Sequence, residues 1–181
     1  MKSDDALFGT HIKEAVNIIK DSFKDITGRE DPKEELNVTW EELLTLINTS
    51  ANQIKKANSD IDTIVAISRG GLIPASIVSR SLNVKKVYSY GINFYNREDE
   101  LKKVPDVYQP LPDSFWSSNV LVIDDVADSG NSLQHVLMSL KRRFHTDKDP
   151  LVYTVFYKPK SIIKPQYFSE MVDSGIWINF P

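Results

Sequence analysis

The chain of 181 residues contains no cysteine. Disulfides, thiolate nucleophiles and cysteine-based zinc sites are therefore excluded, and this composition fits a cytoplasmic protein. Long apolar runs are also missing, since none approaches the ~20 residues of a membrane-spanning helix. The first residues, MKSDDALFGTHIKEAV, include acidic side chains and lack an apolar core, so we expect no secretory signal there.

The chain also has no excess of positive charge. Its formal net charge is −3, which argues against a protein whose main partner is a nucleic-acid backbone. Histidine is scarce, and His11, His135 and His145 lie far apart in the sequence. We interpret all three as structural or surface residues without a metal role.

The apolar residues that are present follow both helical and strand-like periods. Helical spacing over residues 8–26 predicts an extra N-terminal helix, and a capping-box pattern at Thr39 and Glu42 starts another helix. Four short apolar runs predict strands, at 60–68, 84–95, 120–124 and 151–157. Because helices follow some of these strands, the pattern predicts an α/β fold with a central, mostly parallel sheet flanked by helices.

Two segments show no clear period. Residues 96–118 are polar and contain prolines, and we expect one long loop there, which is usually a functional feature in a compact domain. The tail, 158–181, also predicts irregular structure. We therefore divide the chain into an N-terminal helical extension (1–37), a core (38–157) and a C-terminal segment (158–181).

The segment VLVIDDVADSGNS, residues 120–132, ends a predicted strand on two carboxylates. The turn after them is rich in glycine and hydroxyl residues and leads into a helix, so it presents backbone N–H groups and the positive end of a helix dipole. Ser129 and Ser132 can add hydroxyl donors, while the lysine of a nucleoside-triphosphate loop is missing. This pattern favours a site for a monophosphate.

Asp124 and Asp125 stand just before that turn. Adjacent carboxylates can accept hydrogen bonds from a cis-diol such as a ribose, and they favour Mg²⁺ with its waters. A solvated strand end is the plainer interpretation of the pair taken alone. The order of strand, carboxylates and phosphate turn favours a binding site.

Arg69, Gly70 and Gly71 follow the strand predicted at 60–68. Two glycines let the backbone approach a ligand closely, and Arg69 offers a planar cation to phosphate oxygens. Ligands of parallel sheets bind at the carboxyl ends of strands. We therefore expect this segment to lie close to the aspartates and to the segment that begins at Lys158.

These motifs resemble a known family. Residues 120–132 resemble the PRPP-binding motif of type I phosphoribosyltransferases, and VAISRGGLIPASIVSRSLNVKKV, TVFYKP and VTWEELLTL resemble its short-hood xanthine-guanine branch. The resemblance covers about residues 38–178 and implies the type I fold with a small C-terminal hood. It implies transfer of the 5-phosphoribosyl group from PRPP to a 6-oxopurine, with Mg²⁺ as cofactor, by a cytoplasmic homodimer or homotetramer.

The same resemblance assigns roles to residues. It implies three catalytic residues, Asp124, Asp125 and Asp128. Asp124 and Asp125 hold the ribose hydroxyls and, through water or PRPP, the metal ion. Asp128 shares the proton at N7 of the purine. It implies that Arg69, Gly70 and Gly71 bind pyrophosphate. It also implies that the 5′-phosphate is bound by Asp128, Ser129, Gly130, Asn131 and Ser132. The family often has a non-proline cis peptide at the pyrophosphate loop, and we expect it at Ser68–Arg69.

The purine itself is assigned to the hood. Lys158 can only donate hydrogen bonds, so it favours a 6-oxo group over a 6-amino group. Trp177 offers a face for stacking, and the Ile178 carbonyl would accept from an amine at C2. Phe94 and Tyr95 stand where the closing loop of the family usually carries a Ser-Tyr pair. The plainer interpretations are that Lys158 is a surface lysine and that Trp177 packs in a core.

Three questions remain open at this point. Guanine, xanthine and hypoxanthine all fit the motifs. A regulator that senses PRPP and binds nucleic acid can use the same fold, although the short N-terminal segment and the slightly acidic charge disfavour it. A phosphoribosyltransferase for another base is the remaining alternative, against which Lys158 and Trp177 argue.

Overall fold

A computed structural model describes residues 34–95, 101–144, 146 and 148–181. The helix predicted over 8–26, His11 and His145 lie outside these ranges. The chain divides into two compact units. The larger comprises Asn37–Ser174 and Phe180–Pro181, and the smaller comprises Met1–Leu36 and Gly175–Asn179.

The described helices and strands alternate for most of the chain. In chain order they are β1 (Glu34–Asn37), α1 (Trp40–Ala57), β2 (Thr63–Ser68), α2 (Leu72–Leu82), β3 (Lys86–Tyr95), β4 (Leu101–Gln109), β5 (Val120–Ala127), α3 (Asn131–Arg143), β6 (Leu151–Tyr157), β7 (Tyr167–Met171) and β8 (Ile176–Asn179). None of the helices in this part of the chain combines the length and apolarity that a membrane crossing requires.

A six-stranded sheet with the order β4-β3-β2-β5-β6-β7 forms the centre of the larger unit. All neighbouring strands are parallel except β3 and β4. Val65 and Ile67 belong to the core beneath α3, whereas Ile64 and Ala66, which alternate with them, are fully buried as well. The sheet is therefore covered on both faces, as its continuous apolar strands predict.

The start of α1 follows from the capping box seen in the sequence. The Glu42 N–H donates to the Thr39 hydroxyl at 3.3 Å, and the Thr39 N–H donates to the Glu42 carboxylate at 2.8 Å. Two of the first unpaired N–H groups near the helix start are thereby satisfied. The prediction of a helix that begins at this box is confirmed.

Two predictions of irregular structure are wrong. Residues 101–109, expected in a long loop, form β4, so Phe94 and Tyr95 lie in a strand that pairs with it. Pro105 disfavours a strand because proline has no N–H to donate to a neighbouring strand. β4 is an edge strand of the sheet, where an outward-facing position needs no such hydrogen bond. The tail also contains ordered strands, β7 and β8.

The amino ends of the central strands are fixed by a carboxylate, Asp62. It accepts hydrogen bonds from the Ser117 hydroxyl, from the Ser118 N–H at 3.1 Å and from the Asn119 N–H at 3.4 Å. Burial alone would raise the pKa of Asp62, but these hydrogen bonds together hold it below the ordinary value of 3.8. The ionised carboxylate therefore stabilises the join between β2 and the segment before β5.

We predict that Asp62→Asn lowers the free energy of unfolding by about 1–3 kcal/mol at neutral pH, because it removes charge-assisted hydrogen bonds. A depressed folded pKa gives stability that is present above the unfolded pKa and lost as the pH falls through the folded value. The gap between wild type and variant should therefore close in acid. Thermal unfolding across pH measures both effects.

The matched control is Asp113→Asn, which removes an ion pair to Arg143 at 2.7 Å between side chains that are 94% and 54% exposed. Such an exposed pair contributes ~0–1 kcal/mol. Equal losses in the two variants would contradict the structural role assigned to Asp62.

Candidate functional site

Three neighbouring strands end at one edge of the sheet. β2, β5 and β6 are adjacent and parallel, so their carboxyl ends lie side by side. The segments that follow them begin at Arg69, Asp128 and Lys158. The backbone N–H of Lys158 donates to the Ala127 carbonyl at 3.0 Å. The convergence predicted from the sequence is therefore present in the larger unit.

Glycine allows the turn after β2 to lie against β5. A Cβ atom at Gly71 would lie 2.3 Å from the Ile123 carbonyl oxygen, and one at Gly70 would lie 2.2 Å from the Asp125 carboxyl carbon. No side chain fits at these separations without displacing its neighbour. The Ser68–Arg69 peptide that opens this turn is cis, as predicted.

Asp124 and Asp125 are not a solvated strand end: the strand predicted to end at Asp124 continues to Ala127, so both aspartates lie within β5. Asp124 is only 9% exposed, and its carboxylate accepts the Asp125 N–H at 3.0 Å. Burial raises the pKa of Asp124 well above its ordinary value of 3.8, and the charge of Asp125 raises it further. Burial also raises the pKa of Asp125, against hydrogen bonds that lower it. Two adjacent carboxyls, one buried and one partly buried, stay ionised together only if a cation or hydrogen-bond donors offset their charges.

The turn after β5 has the form of an anion cradle. Gly130 adopts φ +81°, a left-handed conformation that favours glycine, and no side chain caps the helix that begins at Asn131. The segment after Lys158 packs against this turn. The Ile162 N–H donates to the Ser129 carbonyl at 3.0 Å. A Cβ atom at Gly130 would lie 2.5 Å from the Ser161 hydroxyl. The first-turn N–H groups of α3 are thus held in place for an anion.

Two lysines approach one oxygen of Asp128. The ammonium of Lys158 lies 3.2 Å from Asp128 Oδ1, and that of Lys160 lies 2.8 Å from the same atom. Oδ1 forms no contact with hydrogen-bond geometry, so the attraction is mainly between charges. Lys158 is 5% exposed and is therefore not the surface lysine of the plainer interpretation.

Lys160 was not identified from the sequence as a site residue. The signal was the spacing KPK, which places two ammonium groups on either side of a proline directly after β6. Lys160 is about half exposed, as is Asp128. It adds a second positive charge beside the carboxylate to which the resemblance gives the N7 proton.

A cavity of about 300 Å³ opens beside these segments within the larger unit. It is lined by Arg69, Gly70 and Asp125 and by apolar residues, namely Leu43, Ile73, Pro74, Val155, Phe180 and Pro181. The turn after β2 and the second carboxylate of the pair therefore face one space. A ligand there would meet a cation, an acid and an apolar wall.

The donor set fits Mg²⁺ only in a particular way. In the part of the chain that the structure describes, no three His, Cys, Asp or Glu side chains are arranged to hold a metal ion. Asp124 and Asp125 supply hard carboxylate oxygens, and Mg²⁺ is commonly bound by one or two carboxylates together with substrate phosphates and water. The pair therefore fits an ion that arrives with a phosphorylated ligand.

Four other predicted site residues lie on the strands β3 and β8. Trp177 and Ile178 are on β8 in the smaller unit, and Trp177 is 58% exposed. Phe94 and Tyr95 end β3, where Phe94 packs edge-on against the His135 ring with centroids 6.4 Å apart. The purine-binding role of the first two and the closing role of the others stay predictions. His135 lies among aromatic rings, in keeping with a structural role.

Comparison with known proteins gives consistent results. A family model for the phosphoribosyl transferase domain matches residues 39–181. The xanthine-guanine phosphoribosyltransferase of Idiomarina loihiensis is 32% identical over 151 residues, which cover 81% of this chain and 86% of that protein. The protein of the same name from Chromohalobacter salexigens is 30% identical over 151 residues, with 82% and 83% covered.

A solved structure is similar in fold. The purine phosphoribosyltransferase of Pyrococcus horikoshii superimposes with a TM-score of 0.69 at 25% identity, covering 82% of this chain and 93% of that one. The similarity thus extends over most of both chains.

We predict that Asp124→Asn stabilises the protein in the absence of ligands at neutral pH. A carboxyl whose folded pKa is raised loses stability as the pH rises from its unfolded value through the folded one. Asparagine removes this loss and can still accept the Asp125 N–H. Thermal unfolding should show a higher Tm, by about 2–4 °C for each kcal/mol relieved.

Asp173→Asn is the control, because Asp173 is exposed and its replacement should leave Tm nearly unchanged. The higher Tm of Asp124→Asn should disappear below pH 3.8, the ordinary pKa of the carboxyl. Asp124 of the wild type is then protonated in both the folded and the unfolded protein. A lower Tm for Asp124→Asn at neutral pH would contradict this reading of the buried pair.

Proposed function

The chain belongs to the phosphoribosyltransferase family, and we propose that it transfers the 5-phosphoribosyl group of PRPP to a 6-oxopurine: guanine, xanthine or hypoxanthine. The products are the nucleoside 5′-monophosphate and pyrophosphate. One observation carries the proposal: the turn after β2, the buried acidic pair, the anion cradle and Lys158 meet at the carboxyl edge of three adjacent strands. The names of the curated relatives support a purine base as acceptor.

Different segments of the site would bind different parts of the PRPP molecule. The cradle formed by Asp128, Ser129, Gly130, Asn131 and Ser132 would take the 5′-phosphate, whose charge suits uncapped N–H groups at a helix start. Asp124 and Asp125 would accept hydrogen bonds from the ribose hydroxyls. Pyrophosphate would lie on Arg69, Gly70 and Gly71, where the close backbone and the guanidinium favour phosphate oxygens.

Mg²⁺ is the cofactor we propose, held by Asp124 and Asp125 through water or PRPP. When bound, it would offset the negative charge that develops on the leaving pyrophosphate. The raised pKa values of the two carboxyls are consistent with a pair that needs a cation to stay fully ionised.

Asp128 and Lys158 would handle the purine. Nitrogen N9 attacks C1′ as the bond from C1′ to pyrophosphate breaks, and the proton lost from the ring passes to or is shared with Asp128 at N7. Lys158, which is 5% exposed, would donate a hydrogen bond from its ammonium group to the 6-oxo group of the purine. Its only ion pair among the described residues is the one to Asp128.

Several assignments complete the proposal. Trp177 would stack on the purine, the Ile178 carbonyl would accept from a C2 amine, and Phe94 with Tyr95 would help to close the site. We propose a cytoplasmic homodimer or homotetramer, with residues 1–37 as an extension, 38–157 as the core and 158–181 as the base-binding segment. Light scattering on the purified protein would give the number of subunits.

The proposal predicts pyrophosphate release from PRPP and Mg²⁺ with at least one of guanine, xanthine and hypoxanthine. Adenine should give none, because an ammonium donor at the 6-position disfavours a 6-amino group by hydrogen-bond polarity. Uracil and orotate should give none because the hood residues Lys158 and Trp177 favour a 6-oxopurine over a pyrimidine. PRPP binding without turnover on any base would favour the sensing regulator. Turnover with uracil or orotate alone would show a different base.

Two lysine variants test the residue assignment in the same assay. Lys158→Met should lower kcat/KM for the 6-oxopurines by about 10- to 100-fold, as expected for one lost charge-assisted hydrogen bond. Lys164→Met, an exposed lysine of the same segment, should stay near wild type. An unchanged kcat/KM for the 6-oxopurines in Lys158→Met would remove Lys158 from the base site.

A further inference from the structure

The strand that the sequence did not predict carries a side chain to the pyrophosphate loop. In the pairing of β3 with β4, Gly91 faces Gln109 and Ile92 faces Val107, so Tyr108 is one extra residue on β4. Such a bulge redirects a side chain out of the normal alternation, and bulges often occur next to active sites. Here it directs the Tyr108 ring across β3.

The ring passes over a glycine. A Cβ atom at Gly91 would lie 2.3 Å from a ring carbon of Tyr108, so any other residue at this position would block the ring. Gly91 pairs with Ser68, the last residue of β2. This explains a glycine inside a strand, where it otherwise weakens the sheet.

The hydroxyl of Tyr108 reaches the end of β2. It donates to the Ser68 carbonyl oxygen at 3.3 Å and lies 3.5 Å from the Ser68 hydroxyl. The Ser89 hydroxyl lies 3.2 Å from both the Ser68 hydroxyl and the Gln109 side-chain oxygen. Side chains from β3 and β4 thus surround Ser68 with hydrogen-bonding groups.

We propose that Tyr108 is a positioning residue for the pyrophosphate loop, an inference that rests on the proposed function. The Ser68 carbonyl and the Arg69 N–H belong to one planar peptide unit. A hydrogen bond that fixes the carbonyl therefore also fixes the direction of the N–H and the start of the Arg69–Gly71 turn. Preorganised donors bind an anion without reordering the backbone.

Calorimetric titration with inorganic pyrophosphate and Mg²⁺ tests this directly. Tyr108→Phe keeps the ring over Gly91 and removes the hydroxyl, and we expect Kd for pyrophosphate to rise about 3- to 10-fold, the effect of one hydrogen bond. Tyr167→Phe removes a hydroxyl that accepts from Asn58 on another part of the sheet, and its Kd should stay at the wild-type value.

Gly91→Ala provides a second, independent variant. The added methyl group would displace the Tyr108 ring, so it should weaken pyrophosphate binding as Tyr108→Phe does, and the double variant should be no weaker than Gly91→Ala alone. Steady-state kinetics give a further readout: KM for PRPP should rise while KM for the purine does not. A general loss of folding would instead lower the apparent kcat and leave both KM values unchanged.

The outcomes separate this inference from the proposed function. Wild-type affinity for pyrophosphate in Tyr108→Phe overturns the role of Tyr108 even if the wild-type enzyme turns over. Additive losses in the double variant overturn it as well. If wild type binds pyrophosphate but releases none from PRPP with any base, the proposed function fails, while weaker binding in Tyr108→Phe still supports Tyr108.

Discussion

The enclosure of two adjacent carboxyls within β5, Asp124 buried and Asp125 partly buried, is the constraint on which the rest of the site depends. Asp124 is almost completely enclosed, and the pKa of each carboxyl is raised. A protein gains no stability from such a pair, because burial disfavours the charged form and the two charges repel. The arrangement is understandable if binding restores what folding loses, through a cation and through hydroxyl donors on the ligand. Function and stability then oppose each other at this position.

The surroundings of the pair follow from this need. Gly70 and Gly71 let the turn after β2 lie against Asp125 and the β5 backbone, which brings the turn that we propose for pyrophosphate next to the carboxyls that we propose for Mg²⁺. Gly130 and the start of α3, which no side chain caps, form the turn that we propose for the 5′-phosphate. Lys158 and Lys160 place positive charge beside Asp128. Acidic and basic groups are thus arranged in sequence along one edge of the sheet, which suits a ligand that carries phosphates at both ends of a sugar.

The sequence predicted those helices, strands and turns whose structure depends on residues close together in the chain. The apolar strands, the capping box at Thr39 and the turns after β2 and β5 each depend on residues close together in the chain. The strand β4 was missed because Pro105 usually disfavours strands, and only its position at the sheet edge makes that residue acceptable. Lys160 and Tyr108 were missed because their importance depends on contacts between distant segments, which no short pattern records. The register that places Tyr108 over Gly91 could not be read from either strand alone.

Proton release on ligand binding tests the central claim most directly. Titrations of PRPP in saturating Mg²⁺, carried out in buffers of different ionisation enthalpy at mildly acidic pH, measure the protons exchanged. If the buried carboxyls are partly protonated in the free protein and ionised in the complex, binding must release protons, and Asp124→Asn must release fewer. Binding with no proton exchange in wild type, or with the same release in the variant, would contradict the account.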